Sequence, residues 1–224
     1  MAVEKKGYYR RDDVAGSYDE IRFSSEGGRM THEREIAVIK DSFKPGERVL
    51  EIGCGTARLL KALNAQGWDV MGMDQSVAML RAGGLEPGPK VLVGDVRQIP
   101  LPDASVDGIY TFRMTNHFAD LRPVFAECKR VLKPGGKLLF DTMRWSFLIR
   151  DWAIWGGMNF PVSDETIRAW LAETGLELEK YRPLFPVGPY LIGRMPAFLG
   201  KLLMRAGNWP ASKHAVASWR VRKP

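Results

Sequence analysis

Short β-rich runs alternate with helical patterns from residue 48 to residue 143, and this alternation limits the fold more than any other feature of the sequence. The runs are nearly continuous in apolar residues, as expected of strands that are covered on both faces. Their sequences are RVLEIG (48–53), DVMGMD (69–74), KVLVGDV (90–96), VDGIYTF (106–112) and KLLFDTM (137–143). Strands and helices in this rhythm predict an α/β fold with a doubly wound, mostly parallel sheet.

Two segments between these runs have helical periodicity. Leu59, Leu60 and Leu63 form one apolar stripe after Ala57. The segment PVFAECKRVLK (123–133) repeats apolar residues at similar spacing, and the Pro-Gly-Gly that follows it predicts its end.

The remainder of the chain adds a further helix, two strands and two appendages. SDETIRAWLAETG (163–175) predicts a helix that is capped by Ser163 and ends at Gly175. LELEKYRPLF and ASWRVRKP read as two closing strands. The expected organisation is a helical N-terminal segment (1–44), the α/β core (45–185), an insert rich in Pro, Gly, Met and Leu (186–213) and a closing strand of the core (214–224).

Composition excludes several classes of protein. No run of about 18 apolar residues occurs, so no transmembrane helix is predicted. The start, MAVEKKGYYRRDD, has charges where a signal peptide needs apolar residues. The two cysteines, Cys54 and Cys128, are far apart and have no His-rich neighbourhood, which argues against a disulfide framework and against a metal site. These features predict a protein of the reducing cytoplasm.

The positive charge is concentrated at the C-terminal end. The net charge is +7, yet residues 1–180 carry 25 basic and 26 acidic groups. Residues 181–224 contain eight Lys or Arg and no acid. Such a segment is compatible with nucleic acid, an anionic membrane, an anionic substrate or simply a solvated face.

The motif EIGCGTA (51–57) follows the first predicted strand. Gly53 and Gly55 allow torsions and a close backbone approach that a Cβ would block. The helix after them offers free N–H groups to a negative group. A dinucleotide fingerprint would need a third glycine at position 58, which is Arg58, so the spacing disfavours a nicotinamide or flavin site.

Acidic residues follow the next two strands. Asp74 ends the second strand, where its carboxylate can accept both hydroxyls of a ribose. Asp95 ends the third, where it can accept a hydrogen bond from an adenine amino group while the N–H of Val96 donates to the ring. Polar groups on three consecutive strand ends outline an adenosine.

These stretches carry a family resemblance. VLEIGCGTARLL, VMGMDQS, VGDVRQIPLPDASVDGIYTF and VFAECKRVLKPGGKLLF resemble the successive motifs of class I S-adenosylmethionine-dependent methyltransferases, over roughly residues 45–145. They most resemble the broad group that includes the ubiquinone and menaquinone biosynthesis methyltransferases. The resemblance implies a Rossmann-like sheet of seven strands whose last strand is antiparallel, with S-adenosylmethionine as cofactor, S-adenosylhomocysteine as product and no metal. Ala57 departs from the pattern, since many members have a third glycine there.

The resemblance also assigns the binding residues. It places Glu51 and the glycine loop on the methionine side of the cofactor, Asp74 at the ribose and Asp95 with Val96 at the adenine. The cofactor-binding set that it implies is Glu51, Gly53, Cys54, Gly55, Asp74, Gln75, Asp95, Val96, Arg113 and Arg29.

Two residues are candidates for catalysis. His117 stands where related enzymes often carry a histidine, and it would position or deprotonate the acceptor; packing against the sheet edge is the alternative. Tyr18 lies in GSYDEIRFSSEGGRMTHERE, which resembles the tyrosine-containing lid of the group. It would lie over the sulfonium, with Arg22 or Arg29 paired to the methionine carboxylate; ordinary surface ion pairs are the alternative.

The acceptor pocket is predicted by position only. Three tryptophans fall within residues 143–160, and the 185–210 segment precedes the last strand. Phe198, Leu199, Leu202 and Leu203 form one apolar face there, which fits either a core helix with solvated lysines or a cap over an apolar acceptor.

The sequence therefore predicts a cytoplasmic methyltransferase that acts on oxygen or carbon of a small apolar, aromatic or lipid-like acceptor, with peripheral contact to an anionic membrane left open. The alternatives are a small-molecule N-methyltransferase, an RNA methyltransferase and a non-catalytic adenosylmethionine-binding protein. No nucleic-acid partner is expected, because FRMTNHF stands where amino-methylating nucleic-acid enzymes carry an Asn/Asp-Pro-Pro-aromatic tetrapeptide.

Overall fold

A computed structural model of the chain describes residues 5–88, 90–143, 159–185, 198–200, 202 and 215–224. The strands of this part are β1 (Arg48–Ile52), β2 (Asp69–Asp74), β3 (Val91–Val93), β4 (Val106–Thr111), β5 (Leu132–Met143), β6 (Glu177–Phe185) and β7 (Val216–Arg222). The helices are α1 (Asp12–Phe23), α2 (Glu26–Ser42), α3 (Arg58–Asn64), α4 (Val77–Ala82), α5 (Arg122–Val131) and α6 (Asp164–Thr174). Two 3₁₀ helices, Lys5–Arg10 and Thr115–His117, complete the described elements.

The strands form one sheet in the order β3-β2-β1-β4-β5-β7-β6. The pairs from β3 to β5 are parallel, and β7 is antiparallel to both of its neighbours. The strand order reverses between β1 and β4, because the chain runs outward from β1 to β3 and then returns to the other side of β1. The predicted fold, including the antiparallel last strand, is confirmed. In sheets of this kind the crevice beyond the carboxyl ends at the reversal is the usual ligand site.

Apolar side chains cover both faces of the sheet. In β1, Val49 packs into one buried cluster, whereas Leu50 and Ile52 pack into the other. Alternate residues of a strand point to opposite faces, so an apolar run is what a doubly covered strand requires. The stripe on α3 is buried as predicted.

The boundaries of β3 and β5 differ most from the prediction. β3 ends at Val93, so Asp95 does not end the third strand but lies in a turn after it, in which the N–H of Gln98 donates to the carbonyl of Asp95 at 2.9 Å. β5 begins at Leu132, five residues earlier than expected, because Leu132 already takes an extended conformation and pairs with Val106.

The expected helix from Ser163 to Gly175 is confirmed as α6. The Ser163 hydroxyl accepts a hydrogen bond from the N–H of Thr166 at 3.2 Å, and Gly175 ends the helix with φ +67°. This cap and stop are local signals, which explains why the sequence was sufficient to predict them.

The N-terminal segment is helical as predicted and lies at the carboxyl edge of the sheet. Asp19 of α1 accepts a hydrogen bond from the Thr56 hydroxyl at 2.8 Å, which ties the segment to the loop after β1. Most of the insert 186–213 and the tryptophans of 143–160 lie outside the described residues, so the domain boundaries stay predictions. Among the described helices, none combines the length and apolarity that crossing a membrane requires.

Candidate active site at the carboxyl edge of the sheet

The loop between β1 and α3 needs its glycines for backbone reasons. Gly53 and Gly55 have φ of +67° and +56°, in the left-handed region that side chains disfavour. A Cβ on Gly53 would also lie 2.8 Å from Cγ of Met114. Ala57 takes φ +54° as well, at the position where many relatives of the predicted family have glycine. Its methyl group costs about 1 kcal/mol in that conformation.

Asp74 joins the end of β2 to this loop. Its carboxylate accepts hydrogen bonds from the N–H of Gly55 at 2.7 Å and of Ser76 at 2.8 Å. Burial raises the pKa of Asp74, and these backbone donors oppose that rise. The structure thus brings Asp74 and the glycine loop together, with the half-buried Gln75 directly beside them.

Asp95 lies one strand further along the same edge. Asp74 pairs in register with Val93, so Asp95 follows two residues beyond its partner. Both carboxylate oxygens of Asp95 are paired with Arg97: Nε donates at 3.0 Å and Nη2 at 2.7 Å. A ligand amino group at Asp95 would share these oxygens with Arg97. Val96 is buried in the core, so only its backbone can serve a ligand.

Glu51, on β1, and Cys54, in the loop itself, are both buried. Glu51 accepts hydrogen bonds from the Tyr110 hydroxyl at 2.9 Å and from the N–H of Leu60 at 3.0 Å. Burial raises the pKa of Glu51 to about 7, against the lowering effect of Tyr110. Burial also raises the pKa of the Cys54 thiol well above its usual value. Glu51 thus joins β1 to β4 and α3, and the predicted place of both residues on the methionine side stays a prediction.

Arg113 follows β4 in an unusual conformation. Its φ is +62°, a left-handed value that is uncommon for a residue with a side chain and that concentrates at functional sites. The conformation directs its N–H to Oδ1 of Asp141, at 2.8 Å. Burial raises the pKa of Asp141 to about 7, although the charge of Arg113 lowers it.

A buried charge cluster lies beside Arg113; we call it the Glu35 cluster, and it consists of Phe23, His32, Glu35, Arg58 and Arg113. Glu35 bonds to the guanidinium of Arg113 and to Nη2 of Arg58, the latter at 2.5 Å. Arg58 also contacts Nδ1 of His32. The guanidinium carbons of Arg58 and Arg113 lie 3.9 and 5.0 Å from the Phe23 ring centroid.

Electrostatics within the cluster follow from burial. Burial lowers the pKa of His32, and the neighbouring charge of Arg58 lowers it further. Burial alone would lower the pKa of the Arg113 guanidinium, but the negative charge of Glu35 outweighs this and raises that pKa overall. Sequence reasoning missed Glu35 and Arg58, because THERE reads as an ordinary charged helical turn and no spacing signal links it to residue 58 or 113.

An aromatic group brings the two catalytic candidates together. The ring of Tyr9 stacks on His117 with centroids 5.4 Å apart and planes at 17°, and it meets Tyr18 edge-on at 6.1 Å. Arg22 lies over Tyr18 at 4.7 Å. Burial raises the pKa of Tyr9 to about 12. Tyr9 itself was not predicted.

Arg29 does not join either group. It is exposed on α2 and donates to the carbonyl of Ser24 at 2.9 Å. Its predicted pairing with the methionine carboxylate therefore has no support from its position and stays a prediction.

The site thus combines left-handed backbone at a glycine loop, the Asp74 carboxylate at the end of β2, the Asp95 carboxylate in the turn after β3, and the rings of Tyr9 and Tyr18 with His117. Such a set suits a ligand with hydroxyl and amino groups to donate and a cationic centre to lie against aromatic faces. Within the described residues, no group of three or more His, Cys, Asp or Glu is arranged to hold a metal ion.

Comparison with known proteins identifies relatives of this chain. Residues 50–140 match the family described as a methyltransferase domain. A malonyl-[acyl-carrier protein] O-methyltransferase of Serratia marcescens is 35% identical over 131 residues, 58% of this chain and 49% of that protein. A demethylmenaquinone methyltransferase of Renibacterium salmoninarum is 32% identical over 129 residues, 57% of this chain and 54% of that protein. The chain spans about half the length of these relatives.

Solved structures share the fold of this chain. The [4+2]-cyclase SpnF superposes with a TM-score of 0.72 at 18% identity, over 100% of this chain and 98% of that chain. A phosphoethanolamine N-methyltransferase 2 of Haemonchus contortus, in complex with S-adenosyl-L-methionine, superposes with a TM-score of 0.70 at 22% identity, over 99% of this chain and 60% of that chain. At these identities the likeness concerns the fold alone.

Proposed function

Because the chain carries a class I S-adenosylmethionine-dependent methyltransferase domain, we propose that it is an enzyme that transfers a methyl group from S-adenosylmethionine to oxygen or carbon of a small apolar, aromatic or lipid-like acceptor. One observation carries the proposal. The N–H of Gly55 donates to the Asp74 carboxylate at 2.7 Å, which supports the proposal that Asp74, the acid predicted to bind the ribose, acts together with the glycine loop.

The residues present fit S-adenosylmethionine. Gly53 and Gly55 leave the backbone exposed beside Asp74, and the turn with Asp95 follows the adjoining strand, β3. Asp74 would accept hydrogen bonds from the ribose hydroxyls, and Asp95 would accept one from the adenine amino group. When bound, the cofactor supplies an electrophilic methyl group on a sulfonium.

The chain's own residues then have three tasks. Tyr9 and Tyr18 offer aromatic faces to a cation and exclude water from the cleft. The cleft holds the acceptor in line with the donor, which alone can supply much of the rate. His117, stacked on Tyr9, would take a proton from the acceptor if that acceptor is a phenol, enol or alcohol.

The proton-transfer role of His117 can be tested separately. We expect His117→Ala to lower turnover by about 100-fold or more with a protonated acceptor, because general-base catalysis contributes that much. S-adenosylhomocysteine affinity, measured in parallel, should stay within a few-fold. Unchanged turnover would eliminate His117 as the base.

Exposed apolar residues support a lipid-like acceptor or its membrane. Phe198 and Leu202 are 72% and 63% exposed and four residues apart, in the part of the chain that carries the excess positive charge. Apolar side chains beside Lys and Arg favour the surface of an anionic bilayer. Peripheral contact with such a membrane belongs to the proposal, as does a cytoplasmic location.

Flotation with vesicles tests the membrane contact. The chain should float with phosphatidylglycerol vesicles at low salt and not with phosphatidylcholine alone. The double variant Phe198→Ser, Leu202→Ser should lose flotation, whereas Leu178→Ser, which alters an exposed leucine on β6, should retain it. Equal flotation of both variants would refute this contact.

Methyl transfer is tested with a labelled donor. Purified full-length chain, S-adenosylmethionine labelled in the methyl group and an organic extract of cells should give labelled product in the organic phase. At a donor concentration well below saturation, Asp74→Ala should give about 100-fold less label, because the ribose hydroxyls lose their charged acceptor. Label in added RNA instead would favour the nucleic-acid alternative, and label on an amine the N-methyl alternative. Binding of S-adenosylhomocysteine without any label transfer would favour a non-catalytic binding protein.

A further inference from the structure

Glu35 joins the N-terminal helices to both walls of the cleft. It lies on α2, and its side chain is 1% exposed. Arg58 is the first residue of α3, just after the glycine loop, and Arg113 follows β4 on the opposite side of β1 in strand order. The carboxylate of Glu35 therefore binds two guanidiniums that lie on two different sides of the site, one at the start of α3 and one after β4.

A buried carboxylate of this kind has a large effect on its neighbours. Removing one member of a buried ion pair leaves the other charge desolvated and unpaired, which is far more costly than losing an exposed pair. Arg58 and Arg113 are only 14% and 22% exposed, so neither can regain full hydration without movement of α1 or α2. Phe23 at the end of α1 covers both guanidiniums, so α1 is bound to the same arrangement.

The other polar contacts of the N-terminal segment are individually weaker. At the end of α2, Asp41 pairs with Lys180, Arg182 and Arg220 of β6 and β7, but its side chain is 42% exposed, so these pairs contribute little. Asp19 accepts from the Thr56 hydroxyl, and the Tyr9 carbonyl accepts from the Ser76 hydroxyl at 2.6 Å. Hydrogen bonds with a hydroxyl partner contribute less than bonds between two charged groups. Glu35 is therefore the contact whose loss most weakens the attachment of α1 to the cleft.

We propose that Glu35 is a positioning residue that latches α1 and the first half of α2 over the cleft by holding Arg58 and Arg113, so that closure of this part and retention of the cofactor depend on one carboxylate. The cofactor half of this inference rests on the proposed function, whereas the closure half does not. Glu35 acts through the two arginines and need not touch the cofactor.

Hydrogen exchange tests the closure half without any ligand. Glu35→Gln keeps the volume and removes the charge, and we expect amides of residues 12–34 to exchange at least tenfold faster than in the wild type. The matched control is Glu33→Gln, which removes an exposed charge two residues away on the same helix. Amides of α6 should be unaffected in both variants. Unchanged exchange of residues 12–34 in Glu35→Gln, or an equal increase in α6, would overturn the latch.

Dissociation of S-adenosylhomocysteine tests the cofactor half. Glu35→Gln should release this ligand at least tenfold faster than the wild type and Glu33→Gln. Glu35→Asp, which keeps the charge on a shorter side chain, should recover part of the loss; this rescue separates positioning from a general packing role. It also serves as the test variant if Glu35→Gln does not fold. Equal dissociation from wild type, Glu35→Gln and Glu35→Asp would overturn the coupling. If the wild type binds no S-adenosylhomocysteine, the proposed function fails, and hydrogen exchange still decides the closure half.

Discussion

The sheet and the part of the N-terminal segment that lies over the site, which is α1 and the first half of α2, are held in place by different forces. The second half of α2 packs into the core through Val38 and Ile39. Helix α5, which covers the sheet, buries Val124, Phe125, Cys128 and Val131, whereas α1 buries only Ala15. The contacts that attach α1 are polar and aromatic: its Asp19 accepts a hydrogen bond from Thr56, and its Phe23 covers Arg58 and Arg113. The apolar sheet accounts for the stability of the protein. The polar and aromatic contacts hold α1 over the site, as a part that can separate from the sheet.

The largest expected effect tests this difference with two aromatic truncations. Trp219 is fully buried in β7, stacks on Phe140 and donates from Nε1 to the Thr142 hydroxyl at 2.8 Å. We expect Trp219→Ala to lower the free energy of unfolding in urea by about 3–5 kcal/mol. Phe23→Ala should cost clearly less, because its ring covers charges at the edge of the site. Equal losses would show that the two regions are not held differently.

The next contrast is between two buried carboxylates: Glu35 in the N-terminal segment and Glu51 in the sheet, which differ in their hydrogen-bond partners. Glu35 has two guanidinium partners, whereas Glu51 is held mainly by a hydroxyl and an N–H. The pKa of Glu51 is about 7 in the folded protein against 4.5 for an ordinary Glu. Between these values the folded state binds more protons than the unfolded state, so stability falls as pH rises from about 4.5 to 7.

Glu51→Gln removes this titration. Urea unfolding at pH 5 and pH 8 should show that the variant loses less stability over this interval than the wild type, by up to about 3 kcal/mol. The glutamine can still accept from Tyr110 and Leu60. A pH dependence identical in variant and wild type would mean that Glu51 is ionised in the fold at neutral pH, and the contrast with Glu35 would disappear.

The smallest expected effect concerns an exposed ion pair. Lys90 and Asp69 are 3.1 Å apart, with side chains 63% and 52% exposed. We expect Lys90→Ala to change the free energy of unfolding by about 0.5 kcal/mol or less, since exposed pairs contribute little. A loss comparable to that of Glu35→Gln would show that burial does not set the strength of ion pairs in this protein.

The same contrast explains what the sequence could predict. The predicted strands match β1, β2 and β4 to within one residue, because an apolar run in a covered strand is a local pattern. The Ser163 cap is equally local. Glu35 meets arginines 23 and 78 residues away, and no local pattern encodes such a pair. Tyr9 was missed for the same reason, since only the fold brings the 3₁₀ helix at the N-terminus onto His117.

Calorimetry with S-adenosylhomocysteine tests the central claim, that the carboxyl edge of the sheet binds one adenosyl group through Asp74 and its neighbours. We predict one ligand per chain, about 100-fold weaker binding for Asp74→Ala, because two hydroxyls lose a charged acceptor, and unchanged binding for Asp69→Ala at the other end of β2. Absence of heat from the folded wild type, or equal affinities of the two variants, would contradict the account.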